Sequence, residues 1–75
     1  MDSFKFIKTI DEMPPAIARQ EVEKYFGGAI KAKTLANMDS KGEGPKGAFK
    51  IGRTVMYPTK SLAEFLDSRM TPLNW

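Results

Sequence analysis

The 75-residue sequence predicts a small α+β domain in which two helices are followed by a β-hairpin and a third helix. Three observations predict this order: two amphipathic stretches separated by paired glycines, two short runs of strand-forming residues around Gly52, and a helical apolar stripe after them. A two-stranded hairpin after a helix-turn-helix is the layout of a winged helix-turn-helix domain, with the hairpin as the wing. We expect a single domain over residues 1–75, with its core at about 15–70, an N-terminal arm at 1–14 and a tail at 71–75.

The N-terminal arm mixes apolar and charged residues without a clear period. Its apolar residues Phe4, Phe6 and Ile10 predict a short strand or arm that packs on the body of the domain. Pro14 and Pro15 interrupt regular structure after the arm, because proline is tolerated in a helix only in its first turn.

The first helix is predicted to run from Pro15 or Ala18 to Phe26. Gly27 and Gly28 end it, since glycine takes up the positive φ of a helix C-terminus at little cost. Its apolar stripe, at i, i+3 and i+4 spacing, comprises Ile17, Val22, Tyr25 and Phe26.

The second helix is predicted from about Ala32 to Ser40, with Gly42 as its stop. Leu35 and Met38 mark its buried face, and at 100° per residue Lys33, Asn37 and Ser40 fall together on the opposite side. The connection from Gly27 to Lys31 is short and contains glycine, as in a helix-turn-helix.

The hairpin admits two registers. A two-residue loop, Gly52–Arg53, pairs Ile51 with Thr54 and divides the apolar side chains between two faces of the hairpin. A three-residue loop, Gly52–Thr54, gathers them on one face, and we therefore predict this register, with Arg53 at the exposed tip. The side chains that it gathers are Phe49, Ile51, Val55 and Tyr57.

The third helix follows Pro58. Thr59 or Ser61 is predicted to cap it, and Ser61 with Glu64 fits a capping box. Pro72 ends the helical pattern. The face predicted to be buried comprises Leu62, Phe65, Leu66, Arg69 and Met70, with the Arg69 head group extending to solvent.

The composition excludes several classes of protein. Because the chain has no cysteine and no histidine, it has no disulfide, no thiolate metal site and no Ser-His nucleophile. Gly42, Gly44 and Gly47 lack the spacing of a nucleotide-binding P-loop. We therefore predict a protein that is not an enzyme and uses no cofactor or metal. Since no window approaches about 20 apolar residues, we expect a cytoplasmic protein that does not contact the membrane.

The charge is distributed unevenly along the chain. Residues 31–60 contain seven basic and two acidic side chains, whereas the segments on either side are each slightly acidic. One block of sequence therefore accounts for the whole net charge of +3. Such a block is typical of a surface that binds a polyanion, although a solvated lysine-rich surface is the plain alternative.

An ordered set of short motifs resembles one group of proteins over about residues 17–69. The set comprises Tyr25-Phe26, Thr34-Leu35, Lys41-Gly42-Glu43-Gly44-Pro45, Lys50-Ile51-Gly52-Arg53, Val55-Met56-Tyr57 and the apolar helix from Leu62 to Leu66. With this spacing the chain resembles the small excisionase and AlpA-like proteins of phages and integrative elements, which are related to the DNA-binding head of the MerR family. It lacks the long dimerisation helix of MerR proteins.

The resemblance implies a winged-helix protein that binds double-stranded DNA and has no enzymatic activity. It implies either an excisionase, which binds and bends attachment-site DNA with a tyrosine-type integrase, or a transcriptional regulator of element genes. Small size and the missing dimerisation helix favour an excisionase that self-associates cooperatively on DNA. The alternative from another class is a winged-helix module that binds a protein and no DNA.

The candidate DNA-binding residues lie in two groups. Asparagine can pair with adenine, and lysine can reach guanine or a phosphate, while a guanidinium at a hairpin tip suits the minor groove. The second helix is the expected recognition helix, and its candidates are Lys31, Lys33, Thr34, Asn37 and Lys41. The candidates on the wing are Lys46, Lys50, Arg53 and Thr54. The expected cap positions Ala18 and Lys31 carry no side-chain acceptor, which costs each helix about 1 kcal/mol.

Overall fold

The computed structural model describes residues 4–70, so the predictions for Pro72 and the tail lie outside the described residues. The fold is α+β, as predicted, with helices packed against a three-stranded antiparallel sheet. In chain order its elements are a 3₁₀ helix (Phe6–Glu12), strand β1 (Ala16–Ala18), a 3₁₀ turn (Arg19–Glu21), helix α1 (Val22–Tyr25), helix α2 (Ala32–Ser40), strand β2 (Phe49–Ile51), strand β3 (Thr54–Pro58) and helix α3 (Thr59–Asp67).

Strand β1 occupies residues 16–18, so the predicted helix start at Pro15 was wrong. The alternative start at Ala18 is close to the structure, because Ala18 is the N-cap of the 3₁₀ turn that leads into α1. The sheet order is β1-β3-β2, and Ile17 pairs with Tyr57. Beside this pair the Thr59 amide donates to the Pro15 carbonyl at 2.9 Å, and the Thr59 hydroxyl donates to the carbonyl of Pro14. These bonds hold the Pro-Pro segment extended alongside β3, and Ile17 is buried through sheet pairing instead of through a helical stripe.

Helix α1 is consequently short. Val22 and Phe26 are buried as predicted, whereas Tyr25 is 38% exposed and does not belong to the core. The chain leaves this helix through Gly27 and Gly28, whose φ values of 64° and 77° confirm the predicted glycine stop.

Helix α2 has the predicted bounds. Leu35 is fully buried, Met38 packs against the core, and Lys33 and Asn37 are exposed, which confirms the predicted orientation. The helix stops where predicted because Gly42 adopts a φ of 74°, and the next amide returns to the Met38 carbonyl at 2.9 Å.

The predicted hairpin register was wrong. The observed loop has two residues, so Ile51 pairs with Thr54 and Phe49 pairs with Met56. Gly52, at the first loop position, has a φ of 62°, the requirement of a type II′ hairpin turn, and a glycine in this place selects the shorter loop. Phe49 and Ile51 therefore leave the predicted core and are 41% and 65% exposed.

Helix α3 begins at Thr59 without the predicted capping box. Its N-cap is Pro58, and no side chain caps it, because the Thr59 side chain is buried and bonded to Pro14. Ser61 therefore lies inside the first turn. The predicted apolar face is confirmed at Leu62 and Leu66, and the Arg69 guanidinium lies 4.6 Å from the centre of the Phe65 ring.

The N-terminal arm forms a 3₁₀ helix that packs on α3, not a strand. The Asp67 carboxylate accepts the amides of Phe6 at 2.8 Å and Ile7 at 3.1 Å, and so caps this helix from the opposite end of the chain. The Phe6 ring meets the buried Phe26 ring edge to face at 4.9 Å. Residues 6–12 of the arm are therefore part of the folded body.

We predict that Asp67→Ala lowers the free energy of unfolding by about 1–2 kcal/mol, since two amides lose a charged acceptor. Urea denaturation measures the loss, and hydrogen exchange should show faster exchange of the Phe6 and Ile7 amides. Glu64→Ala, which removes an exposed carboxylate from the same helix, is the control and should change stability by less than about 0.5 kcal/mol. Equal stability of the two variants would show that the cap contributes nothing.

The hydrophobic core lies between the inner face of the sheet and the helices. It comprises Ile17, Val22, Phe26, Ile30, Leu35, Tyr57, Leu62 and Leu66. Ile30, just before α2, was not predicted to be buried. Over residues 4–70 no helix is long and apolar enough to cross a membrane.

Candidate nucleic-acid interface

Helix α2 carries the first group of candidate residues. Lys31 is its N-cap and Lys41 its C-cap, and both are exposed. Lys33, Thr34 and Asn37 are exposed between them. The helix therefore presents a polar surface with a cation at each end.

The N-terminus of α2 has no capping side chain and no acidic residue in its first turn. Lys31 occupies the cap position with an extended backbone, as predicted, and Lys33 follows within the turn. The amides at a helix N-terminus carry partial positive charge, which two lysines reinforce instead of offsetting. An anion such as a DNA phosphate would relieve this local repulsion.

The β2–β3 hairpin and the loop before it carry the second group. Lys46, Lys50 and Arg53 are exposed, and Arg53 lies in the two-residue loop at the tip. Thr54 was predicted to lie in the loop, and that placement was wrong. It is the first residue of β3, pairs with Ile51 and is half-buried, because the loop is one residue shorter than predicted.

The register brings Lys50 to the same side of the sheet as α2. Lys50 pairs with Val55, and partners directly opposite in a sheet share a face. Val55 packs against the core, and two residues along the strand the Tyr57 hydroxyl bonds Asp39 of α2. Lys50 of the hairpin therefore lies on the α2 side of the sheet.

None of the candidate cations is neutralised by an ion pair within residues 4–70. The two ion pairs of this part of the chain join Arg19 to Asp39 at 2.6 Å and Lys24 to Glu21 at 4.0 Å. The lysines of α2 and the cations of the hairpin take part in neither. Their charge is therefore available to an external polyanion.

A polar cluster joins α2 to the hairpin. The Tyr57 hydroxyl donates to Oδ2 of Asp39 at 2.5 Å, and Arg19 contacts the same oxygen through Nη2 at 2.6 Å. Arg19 Nε also donates to the Tyr57 oxygen at 2.9 Å. The Asp39 carboxylate thus connects the end of α2, the central strand β3 and the 3₁₀ turn to one another.

The protonation states within the cluster suit this arrangement. Burial, with a further contribution from the hydrogen bond to Asp39, raises the pKa of Tyr57 above its usual value near 10. Tyr57 is therefore neutral at physiological pH and keeps the proton that it donates. Hydrogen bonding to Tyr57 is the main cause that raises the pKa of Arg19, so the guanidinium stays charged.

Gly44 closes the cluster from the loop side. A Cβ at this position would overlap Oδ1 of Asp39, so only glycine lets the loop pass this close to the carboxylate. Gly44 is therefore a packing position as well as a turn residue, which the sequence did not indicate.

The sequence did not reveal this cluster. Neither Arg19 nor Asp39 was predicted to take part in a site, and Tyr57 was predicted to lie on the apolar face of the hairpin. One signal was present: a tyrosine predicted to be buried needs a partner for its hydroxyl. The sequence alone did not identify that partner.

A groove of about 300 Å³ lies between the 44–46 loop and α3, lined by Gly44, Pro45, Lys46, Ser61, Glu64, Phe65 and Ser68. No group of three or more His, Cys, Asp or Glu side chains that could hold a metal ion occurs between Phe4 and Met70.

No protein-family model, curated protein or solved structure was found to match the chain. Function is therefore inferred from the geometry and charge of the α2 and hairpin surfaces.

Proposed function

We propose that this protein is a sequence-specific double-stranded DNA-binding protein with a winged-helix arrangement. Helix α2 acts as the recognition helix in the major groove, and the β2–β3 hairpin acts as the wing. The observation that carries the proposal is the set of exposed cations on these two elements, none of which has an ion-pair partner within residues 4–70. The polar cluster of Arg19, Asp39 and Tyr57 links the two elements, which supports their acting together on one duplex.

Each exposed residue of α2 has a chemistry that suits DNA. Asn37 can make two hydrogen bonds to an adenine edge, and Lys33 can reach guanine O6 and N7 or a phosphate. Lys31 and Lys41, at the helix ends, suit phosphates on either side of the groove. Phosphate contacts position the protein, and the contacts of the central residues read the bases.

The wing supplies a second contact one groove away. Arg53 at the tip suits a narrow minor groove, where the negative potential is strongest. Lys46 and Lys50 suit the phosphates that border the groove. Thr54, which is half-buried in β3, has at most a supporting role beside the tip.

For the biological role we propose an excisionase that binds and bends attachment-site DNA, with a tyrosine-type integrase as partner and cooperative self-association on DNA. The motif resemblance supports this role. An AlpA-like transcriptional regulator would use the same surface. Footprinting on DNA beside an integrase gene separates the two, because an excisionase protects tandem sites at an attachment site.

We predict that Arg53→Ala and Lys33→Ala each weaken DNA binding about 5- to 20-fold, equivalent to about 1–2 kcal/mol. The measurement is a mobility shift at fixed salt on a duplex that the wild-type protein selects from a random-sequence pool. Each variant should also reduce the slope of log affinity against log salt concentration by about one, because one fewer phosphate is neutralised.

Lys8→Ala is the matched control, since it removes one exposed positive charge from the N-terminal 3₁₀ helix. It should change the affinity less than twofold at moderate salt, because long-range attraction is screened beyond about 10 Å. If all three variants bound alike, the assignment of α2 and the wing as the interface would be wrong. If the wild-type protein bound a partner protein and no duplex, the interaction-module alternative would replace the proposal.

A further inference from the structure

The observed register creates an apolar outer face on the sheet. Met56 of β3 pairs with Phe49 on one side and with Ala18 on the other, so these three side chains form a row across all three strands. Nearer the tip, Ile51 lies opposite Thr54 on the same face. Side chains alternate along a strand, so this face is turned away from the core.

Two side chains on this outer face are strongly exposed. Ile51 is 65% exposed and Phe49 41%, although both belong to a paired strand. Ile51 immediately precedes the two-residue turn and is therefore a neighbour of the tip residue Arg53. Residues 45–60, which span the hairpin, contain four basic side chains and no acidic one. An apolar strip thus runs toward a cationic tip.

The size and charge of this strip fit duplex DNA better than a protein partner. A stable protein interface buries about 800 Å² on each partner, far more than two side chains provide. A protein would also have to be acidic to cover residues 45–60. The minor groove combines phosphates at its borders with sugar and base edges inside, so it accepts a cation and an apolar side chain together.

We propose that Ile51, backed by Phe49, is an apolar wedge that enters the minor groove beside Arg53 and opens a base step, which bends the duplex. This inference rests on the proposed DNA-binding function and adds the way in which the protein would bend the duplex. Ile51 suits the task because a β-branched side chain has few rotamers and stays extended from the strand. Pyrimidine–purine steps unstack most easily, so the wedge should favour TA or CA/TG steps beneath the wing.

The experiment uses the full chain and a duplex that the wild-type protein selects from a random-sequence pool. End-to-end energy transfer between dyes at the duplex ends reports the bend. The fluorescence of 2-aminopurine, substituted for adenine at each pyrimidine–purine step in turn, reports unstacking. The variants are Ile51→Ala and Ile51→Lys, and Phe4→Ala is the control for an exposed apolar side chain away from the hairpin.

The wild-type protein should give a fluorescence increase at one step and a bent duplex. Ile51→Ala should lose at least half of both signals and bind about 3- to 10-fold more weakly, while Phe4→Ala behaves like the wild type. Ile51→Lys separates a wedge from simple attraction. It should also lose the unstacking signal, although it adds a positive charge that attracts the phosphates.

Undiminished bending and unstacking with both Ile51 variants would overturn the inference while leaving DNA binding intact, and the apolar face would then belong to a protein partner. Absence of DNA binding by the wild-type protein would instead overturn the proposed function, so the two failures are distinguishable. Because Ile51 is exposed, the variants should fold; circular dichroism checks this, and Ile51→Thr replaces any variant that does not.

Discussion

Replacing Asp39 with alanine is expected to lower the free energy of unfolding by about 2–4 kcal/mol, more than the loss of any surface ion pair. The change leaves the Arg19 guanidinium and the Tyr57 hydroxyl without their shared acceptor. The ion pair is roughly three-quarters buried, with side-chain exposures of 24% and 23%, so water compensates only in part. A domain of 75 residues has a total stability of about 4–11 kcal/mol, so this one carboxylate is a large share of it.

A double-mutant cycle with Gly44 tests the physical reason. Gly44→Ala alone should be destabilising by a comparable amount, because its Cβ displaces the Asp39 carboxylate from its two partners. In the Asp39→Ala background the same Cβ has no carboxylate to displace, and the second change should then cost less than about 1 kcal/mol. Urea denaturation of the four proteins measures the coupling. Strict additivity of the two changes would show that Gly44 and the cluster are independent.

The second large effect is expected at Leu35. Leu35→Ala should lower the free energy of unfolding by about 2–5 kcal/mol, the range for a leucine truncated in a packed core. Leu35 is the one fully buried side chain that α2 contributes to the core. A helix of nine residues is not stable in water by itself, so its attachment depends on this contact and on the Asp39 cluster.

Asn37→Ala provides the matched control for Leu35→Ala, since it alters an exposed side chain on the same helix. It should change stability by less than about 0.5 kcal/mol and weaken DNA binding instead. Leu35→Ala should lower the stability and leave the DNA affinity unchanged, once the affinity is corrected for the fraction of folded protein. Thermal unfolding followed by circular dichroism measures the stability, and a mobility shift measures the DNA binding. A stable Leu35→Ala protein would mean that α2 is held chiefly by polar contacts.

Local features of the sequence predicted helix α2 and most of α3. The bounds of α2 follow from the spacing of Leu35 and Met38 and from Gly42, all of which act within a few residues. The stop of α1 at Gly27 was predicted for the same reason. Where glycine chemistry and helical spacing decide a structure, a single sequence contains enough information.

The strands were not predictable in the same way, because distant residues decide them. Ile17 fitted a helical stripe, yet it pairs with Tyr57 far along the chain. In the hairpin, the preference for one apolar face was outweighed by the turn, because Gly52 at the first loop position suits the two-residue type II′ loop. Phe49 and Ile51 then became outward-facing residues.

The sequence predicted the exposed cations of the candidate site but not the polar cluster beside them. Exposed cations such as Lys33 and Arg53 follow from charge and helical phase, which are properties of the sequence itself. The cluster of Arg19, Asp39 and Tyr57 depends on partners that are 18 to 38 residues apart, which no local pattern reveals.

The pairing of β1 with β3 determines how the molecule assembles. The Ile17–Tyr57 pair closes a loop that contains α1, α2 and strand β2, so these elements fold inside a ring joined at the sheet. Hairpin β2–β3 closes a short loop and can form early, whereas β1 must wait for a long loop closure with a higher entropic cost. A fragment that carries only α2 and the hairpin would lack this closure. We therefore expect α2 and the β2–β3 hairpin to depend on this closure and not to fold as separate modules.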